Sequence, residues 1–228
     1  MIERIRISLW DVFSFFLTGF LAAAAIVVLV VAYGPLSPRE LADALVQVPA
    51  AVVIFAAPLA LTLFGLVIEP FANYFDRFVM KALFGWLIRP KAKHSDEEEI
   101  LAEEIKTNYL GSLCGKISNP YAICKDYVET KQLSTTFMVF LSRYGFCRNC
   151  AFLSVASGIA VAILSGSRLM SIVAVIASVV VAVVFKRRAE DFYSYMAPTV
   201  YRAFLIDKLK WSPHQQNEDA APPRRGQA

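Results

Sequence analysis

EPFANYFDRFVMKALFGWLIRPKAKHSDEEEILAEEIKTNYLGSLCGKISNPYAICKDYVETKQLSTTFMVFLSRYGFCRN, residues 69–149, is the only long polar stretch in the chain, and its surroundings decide the fold. Two apolar runs precede it, Val12–Tyr33 and Ala44–Ile68, and two follow it, Cys150–Ser165 and Leu169–Phe185. None of the four contains Asp, Glu, Lys, Arg or His. Crossing about 30 Å of hydrocarbon takes roughly 20 apolar residues, and a soluble buried helix rarely runs that far without a polar face. The sequence therefore predicts an all-α membrane protein. Its four transmembrane helices form two hairpins, residues 1–68 and 150–185, around a helical cytoplasmic insert between spans 2 and 3.

Composition agrees with that reading. Hydrophobic residues make up 57% of the 228, against about 45–50% in soluble domains, and the mean hydropathy is +0.52. The net charge of +4 includes Arg224 and Arg225 of a Pro-rich tail, and no basic cluster of the kind that binds nucleic acid is present. Cations instead mark topology. Arg4 and Arg6 precede the first run, Arg77, Lys81, Arg89, Lys91 and Lys93 follow the second, Arg143 and Arg148 precede the third, and Lys186, Arg187 and Arg188 follow the fourth. The connections on the other side carry only Arg39 and Arg168. Both termini and the insert then face the cytoplasm of a bacterial-type inner membrane. The small residues Ala22–Ala25 lie inside an apolar run that continues through Val31, too long for a cleavable signal.

Local features refine this outline. Trp10 sits at interfacial depth, and Gly19 with Ala23 offers a flat helix face. Ser37-Pro38-Arg39-Glu40 reads as a helix start, so the second helix should begin there and enter the membrane near Ala44, with Pro49 and Pro58 interrupting it. Apolar residues from Phe71 to Leu87 recur at helical spacing, predicting an amphipathic interfacial helix over about 71–88, edged by Arg77, Lys81 and Trp86. Further helices are expected over about 96–112, 121–132 and from Thr135 onward, the last running into the third span. The acidic residues from Asp96 to Glu104 read as a solvated face.

The third run has 16 residues, about 24 Å of helix. Phe146–Asn149 must then enter the interface, with the Arg148 guanidinium snorkelling outward; a shallow re-entrant hairpin competes. Ser154, Gly158, Ala162 and Gly166 form a ridge of small residues, matched by Ala174, Ser178 and Ala182 on the fourth span. Such strips suit close packing within one chain or between copies. Residues 186–211 predict an amphipathic cytoplasmic tail broken by Pro198, and 212–228 a disordered one.

Little points to catalysis. Cys147 and Cys150 share a helix face, but Cys114 and Cys124 lack zinc-knuckle spacing, so the four thiols are weak metal candidates and no cofactor motif is present. His94 and His214 have no triad context. The leading expectation is a non-enzymatic membrane protein whose insert binds a partner or the lipid surface and couples to an oligomerising bundle. Two alternatives stay open: a pore-forming or membrane-disrupting effector triggered through the insert, as in bacterial antiviral defence, and an interfacial lipid- or thiol-dependent enzyme.

Overall fold

A computed structural model describes residues 9–34, 37–80, 82, 95–110, 117 and 119–209. Among the described residues all regular structure is helical: α1 (Leu9–Tyr33), α2 (Pro38–Val46), α3 (Ala50–Phe75), a π-helical segment (Asp76–Met80), α4 (Ser95–Tyr109), α5 (Tyr121–Lys131), α6 (Thr135–Leu164) and α7 (Arg168–Lys208). Four helices among the described residues are long and apolar enough to cross a membrane: α1, α3 with its π-helical extension, α6 and α7. Most of their large apolar side chains are exposed, among them Phe55, Leu59 and Phe71 on α3 and Leu169, Ile172 and Val184 on α7. A water-soluble bundle would bury such faces; lipid leaves them in contact with solvent of their own polarity.

The second apolar run differs from its sequence reading at both ends. Ser37 caps a separate short helix: the Glu40 amide donates to Ser37 Oγ at 3.2 Å, and Glu40 Oε2 accepts from the Ser37 amide at 2.7 Å and hydroxyl at 2.9 Å. This reciprocal arrangement satisfies donors that a helix start leaves free. The chain then leaves the helix at Gln47, and Pro49 stands as the N-cap of α3 with φ −56° and ψ 134°. Proline disfavours helical geometry at the residue before it, so Pro49 separates two helices rather than bending one. At the other end α3 passes Ile68 and Glu69 without a break and takes in residues 71–75. Pro58 and Pro70 lie inside it, and Thr62 donates its hydroxyl to the Pro58 carbonyl at 2.8 Å. Residues 83–88 of the expected interfacial helix, Trp86 among them, lie outside the described residues, as does Lys81.

The two Ser37 bonds lower the Glu40 carboxyl below its ordinary value. A lowered folded-state pKa adds stability above the unfolded value and loses it as pH falls through the folded one. Acidification through the carboxylate range should therefore fray α2. The 13Cα shifts of residues 38–46 should move toward coil values between pH 6 and pH 3, and unchanged shifts would deny the capping pair any role.

The described residues form two compact units, Met1–Ala92 with Thr136–Met196, and Lys93–Thr135 with Ala197–Ala228. In the first, α1 and α3 run antiparallel in backbone contact: a Cβ at Gly19 would overlap the Leu61 carbonyl, and one at Gly65 would overlap that of Phe15. Where α6 meets α7, a Cβ at Gly158 would overlap the Ser178 side chain and lie 3.1 Å from the Ala174 carbonyl oxygen. The turn between these helices holds Gly166 at φ 61°, a left-handed value that glycine adopts without strain. Ser171 Oγ closes it, 2.8 Å from the Ala162 carbonyl.

The second unit has a small core of its own. Ile105, Cys124, Val128, Val200, Tyr201 and Phe204 are buried, and Phe204 meets the edges of Tyr109 and Tyr127 at ring distances of 5.7 and 5.1 Å. Asn119 Oδ1 accepts from the Tyr121 amide, starting α5, and from the Tyr201 hydroxyl at 3.2 Å. Arg202 pairs with Glu97, while Tyr127 donates to Asp207 at 2.6 Å. Pro198, expected to break the tail, lies inside the unbroken α7. The lost donor removes one helix hydrogen bond, which the flanking turns outweigh.

Candidate functional site

Within the first unit, five consecutive residues of α6, Cys147 to Ala151, are all buried. A helix buried at every position over more than one turn is enclosed on all sides, and here two of the five are Arg148 and Asn149. Their partners come from other helices. Arg148 Nη2 donates to Glu69 Oε1 at 3.1 Å and Nη1 to Asn73 Oδ1 at 3.5 Å, both on α3. Asn149 Nδ2 lies 3.5 Å from Thr18 Oγ1 on α1, and one helical level away Ser14 donates to the Ser142 carbonyl at 3.3 Å. The Tyr144 ring stands 5.7 Å from the Arg148 guanidinium. Arg148 Nε and Asn149 Oδ1 are buried without a hydrogen-bond partner among the described residues.

A second ionic group extends this layer. Lys186 on α7 is 6% exposed, and its ammonium lies 2.7 Å from Asp76 Oδ1 and 2.5 Å from Glu190 Oε1. Asp76 opens the π-helical segment, and Glu190 lies one turn along α7 from the lysine. The layer thus holds two cations against three carboxylates, Glu69, Asp76 and Glu190, and ties α3 to both α6 and α7. Isolated charges cost several kcal/mol each in an apolar bundle, and pairing with further hydrogen bonds offsets that cost.

Two residues read as interfacial have partners within the chain. Arg148 does not snorkel outward; it turns inward because Glu69 and Asn73 are within reach. Lys186, read as an interfacial cation, is enclosed by its two carboxylates, whereas Arg187 and Arg188 beside it are exposed. Arg188 stands over the Phe192 ring at 4.7 Å and Arg77 over Phe78 at 5.7 Å. Trp10 lies in the first turn of α1. Of the small residues, Gly158, Ala174 and Ser178 meet within the chain, and Ala182 is buried. Ser154 bonds the Cys150 carbonyl of its own helix at 2.8 Å, and Gly166 serves the turn.

Among the described residues the thiols assemble no metal site. No group of three or more His, Cys, Asp or Glu side chains that could hold a metal occurs among the described residues, and Cys114 lies outside them. Cys147 and Cys150 are buried one turn apart on α6. Cys124 is buried in the core of the second unit, where desolvation pushes its thiol up to about 11. A thiol held protonated at neutral pH is neither a ready nucleophile nor a ready ligand.

Sequence reading missed Ser14, Thr18, Asn73, Asp76, Ser142, Asn149 and Glu190. Their spacing carried a usable pattern: Ser14 and Thr18, Glu69 and Asn73, and Lys186 and Glu190 are each four apart, and Asp76 follows Glu69 by seven. Polar residues at those intervals share one helix face. No protein-family model matches the chain, and no curated protein or solved structure matches it.

Proposed function

We propose that the chain is a non-catalytic four-span protein of a bacterial-type inner membrane, folded as two hairpins, with both termini and the 69–149 region on the cytoplasmic side. Its cytoplasmic helices engage a partner or the lipid surface, and the bundle, alone or with further copies, responds. The buried polar layer carries this reading. A purely structural bundle gains more from apolar packing than from ion pairs, so a layer of paired charges favours a device that can rearrange. Within its own unit, α7 supplies Lys186 and Glu190 to that layer, against Asp76 of the π-helical segment.

Alkaline-phosphatase fusions test the topology. Fusions at Pro35 and Ser167 should be active, and those at Ser95 and Ser212 inactive; the reverse pattern overturns the reading. Induced expression should leave the membrane potential unperturbed, whereas sustained depolarisation would favour the pore-forming alternative.

A further inference from the structure

We infer that Lys186 is the tongue of an ionic latch that holds the π-helical segment to α7 and that can let go without stranding the ammonium. The ammonium has two carboxylate partners of different standing. Asp76 belongs to another element, so that pair closes the bundle, whereas Glu190 belongs to the lysine's own helix at i+4 and stays beside it whatever the neighbours do. Removing one partner of a buried ion pair is costly because the other is left uncompensated. Here the cost is averted on the α7 side, since Glu190 remains.

The other face of the latch is equally specific. Asp76 is the first residue of the π-helical segment, and its amide reaches both the Ala72 and Asn73 carbonyls, midway between two helical hydrogen-bond patterns. Such segments occur mostly as single turns joined to α-helices, frequently at functional sites. The remaining charged and titratable groups around the trio come from α6 and α3: Tyr144 and Arg148, with Glu69 on Arg148. Arg77 follows Asp76 but turns to the Phe78 ring. Two states follow. In the closed state Lys186 bridges Asp76 and Glu190; in the open state Glu190 alone holds it and the segment from Asp76 onward is free of α7. This rests on the membrane reading of α3 and α7 given above and names what regulates the bundle.

The test uses the full chain in nanodiscs, with ketone-bearing residues at the exposed positions 78 and 184 carrying spin labels. The parent should give one interlabel distance. Asp76→Asn should add a longer one while keeping the thermal midpoint within about 3 °C of the parent. Glu190→Gln should keep the single distance, because Asp76 still closes the latch. Combining the two should lower the midpoint by more than about 10 °C, well beyond the sum of the single changes. An unchanged distance in Asp76→Asn, a midpoint there as low as in the double variant, or opening in Glu190→Gln would each overturn the latch. The fusion pattern is read separately, so a reversed topology with an intact latch would remove only the cellular orientation.

Discussion

Gly65→Val should separate α1 from α3 and lower the thermal midpoint in detergent by about 10 °C, the equivalent of about 3 kcal/mol or more. The obstacle is backbone: the first atom a Cβ meets at Gly65 is the Phe15 carbonyl oxygen, and at Gly19 it is that of Leu61. A side chain in the way can change rotamer, but a carbonyl inside a helix can move only with its helix. The close approach matters in lipid because apolar tails compete equally for apolar side chains, leaving close packing to drive helix association. A graded series follows from the same geometry. Gly158→Ala should cost less, since the nearest atoms belong to the Ser178 side chain, and Gly145→Ala should be neutral or stabilising by up to about 1 kcal/mol, since nothing lies within 4 Å and alanine favours the helix. Equal losses at Gly65 and Gly145 would show that glycine count, rather than contact, sets stability.

The four apolar helices were legible because lipid demands long uncharged runs, and those runs are unmistakable by length. Their ends were not. Pro49 and Pro70 carry the same local chemistry, yet one separates α2 from α3 and the other lies within α3. What differs is context that a periodicity scan ignores, namely the Asn73 and Asp76 side chains beyond Pro70, which have partners on α6 and α7. The small-residue ridge announced close packing but not its partner, since Gly158 fits a strip on the same chain as well as one on another copy. The polar layer was hidden for a related reason. Arg148 and Lys186 lie next to the ends of apolar runs, where a lone cation reads as an anchor, and only the pairing of helices distant in sequence brings Glu69 and Asp76 within reach.

Glu69→Gln should destabilise the bundle more than the same change combined with Arg148→Met. The single substitution leaves a guanidinium that is about nine-tenths buried without a carboxylate, facing only neutral acceptors, the new side-chain amide oxygen and Asn73 at 3.5 Å, and the Tyr144 ring. Uncompensated buried charges cost about 3–5 kcal/mol. Glu69 is 39% exposed, so its own share of the attraction is partly screened, and a loss of about 2–3 kcal/mol is expected. Methionine at 148 removes the charge, keeps most of the length and packs its sulfur against Tyr144, so the double variant should return to within about 1 kcal/mol of the parent. Thermal midpoints of the parent, the two single variants and the double variant complete the cycle. Recovery in the double variant would mean that the ionic form of this layer is not required for folding, leaving rearrangement of the helices as the reason for charges at this depth. Additive losses would instead make the pair an ordinary structural tie and remove the main support for a bundle that responds.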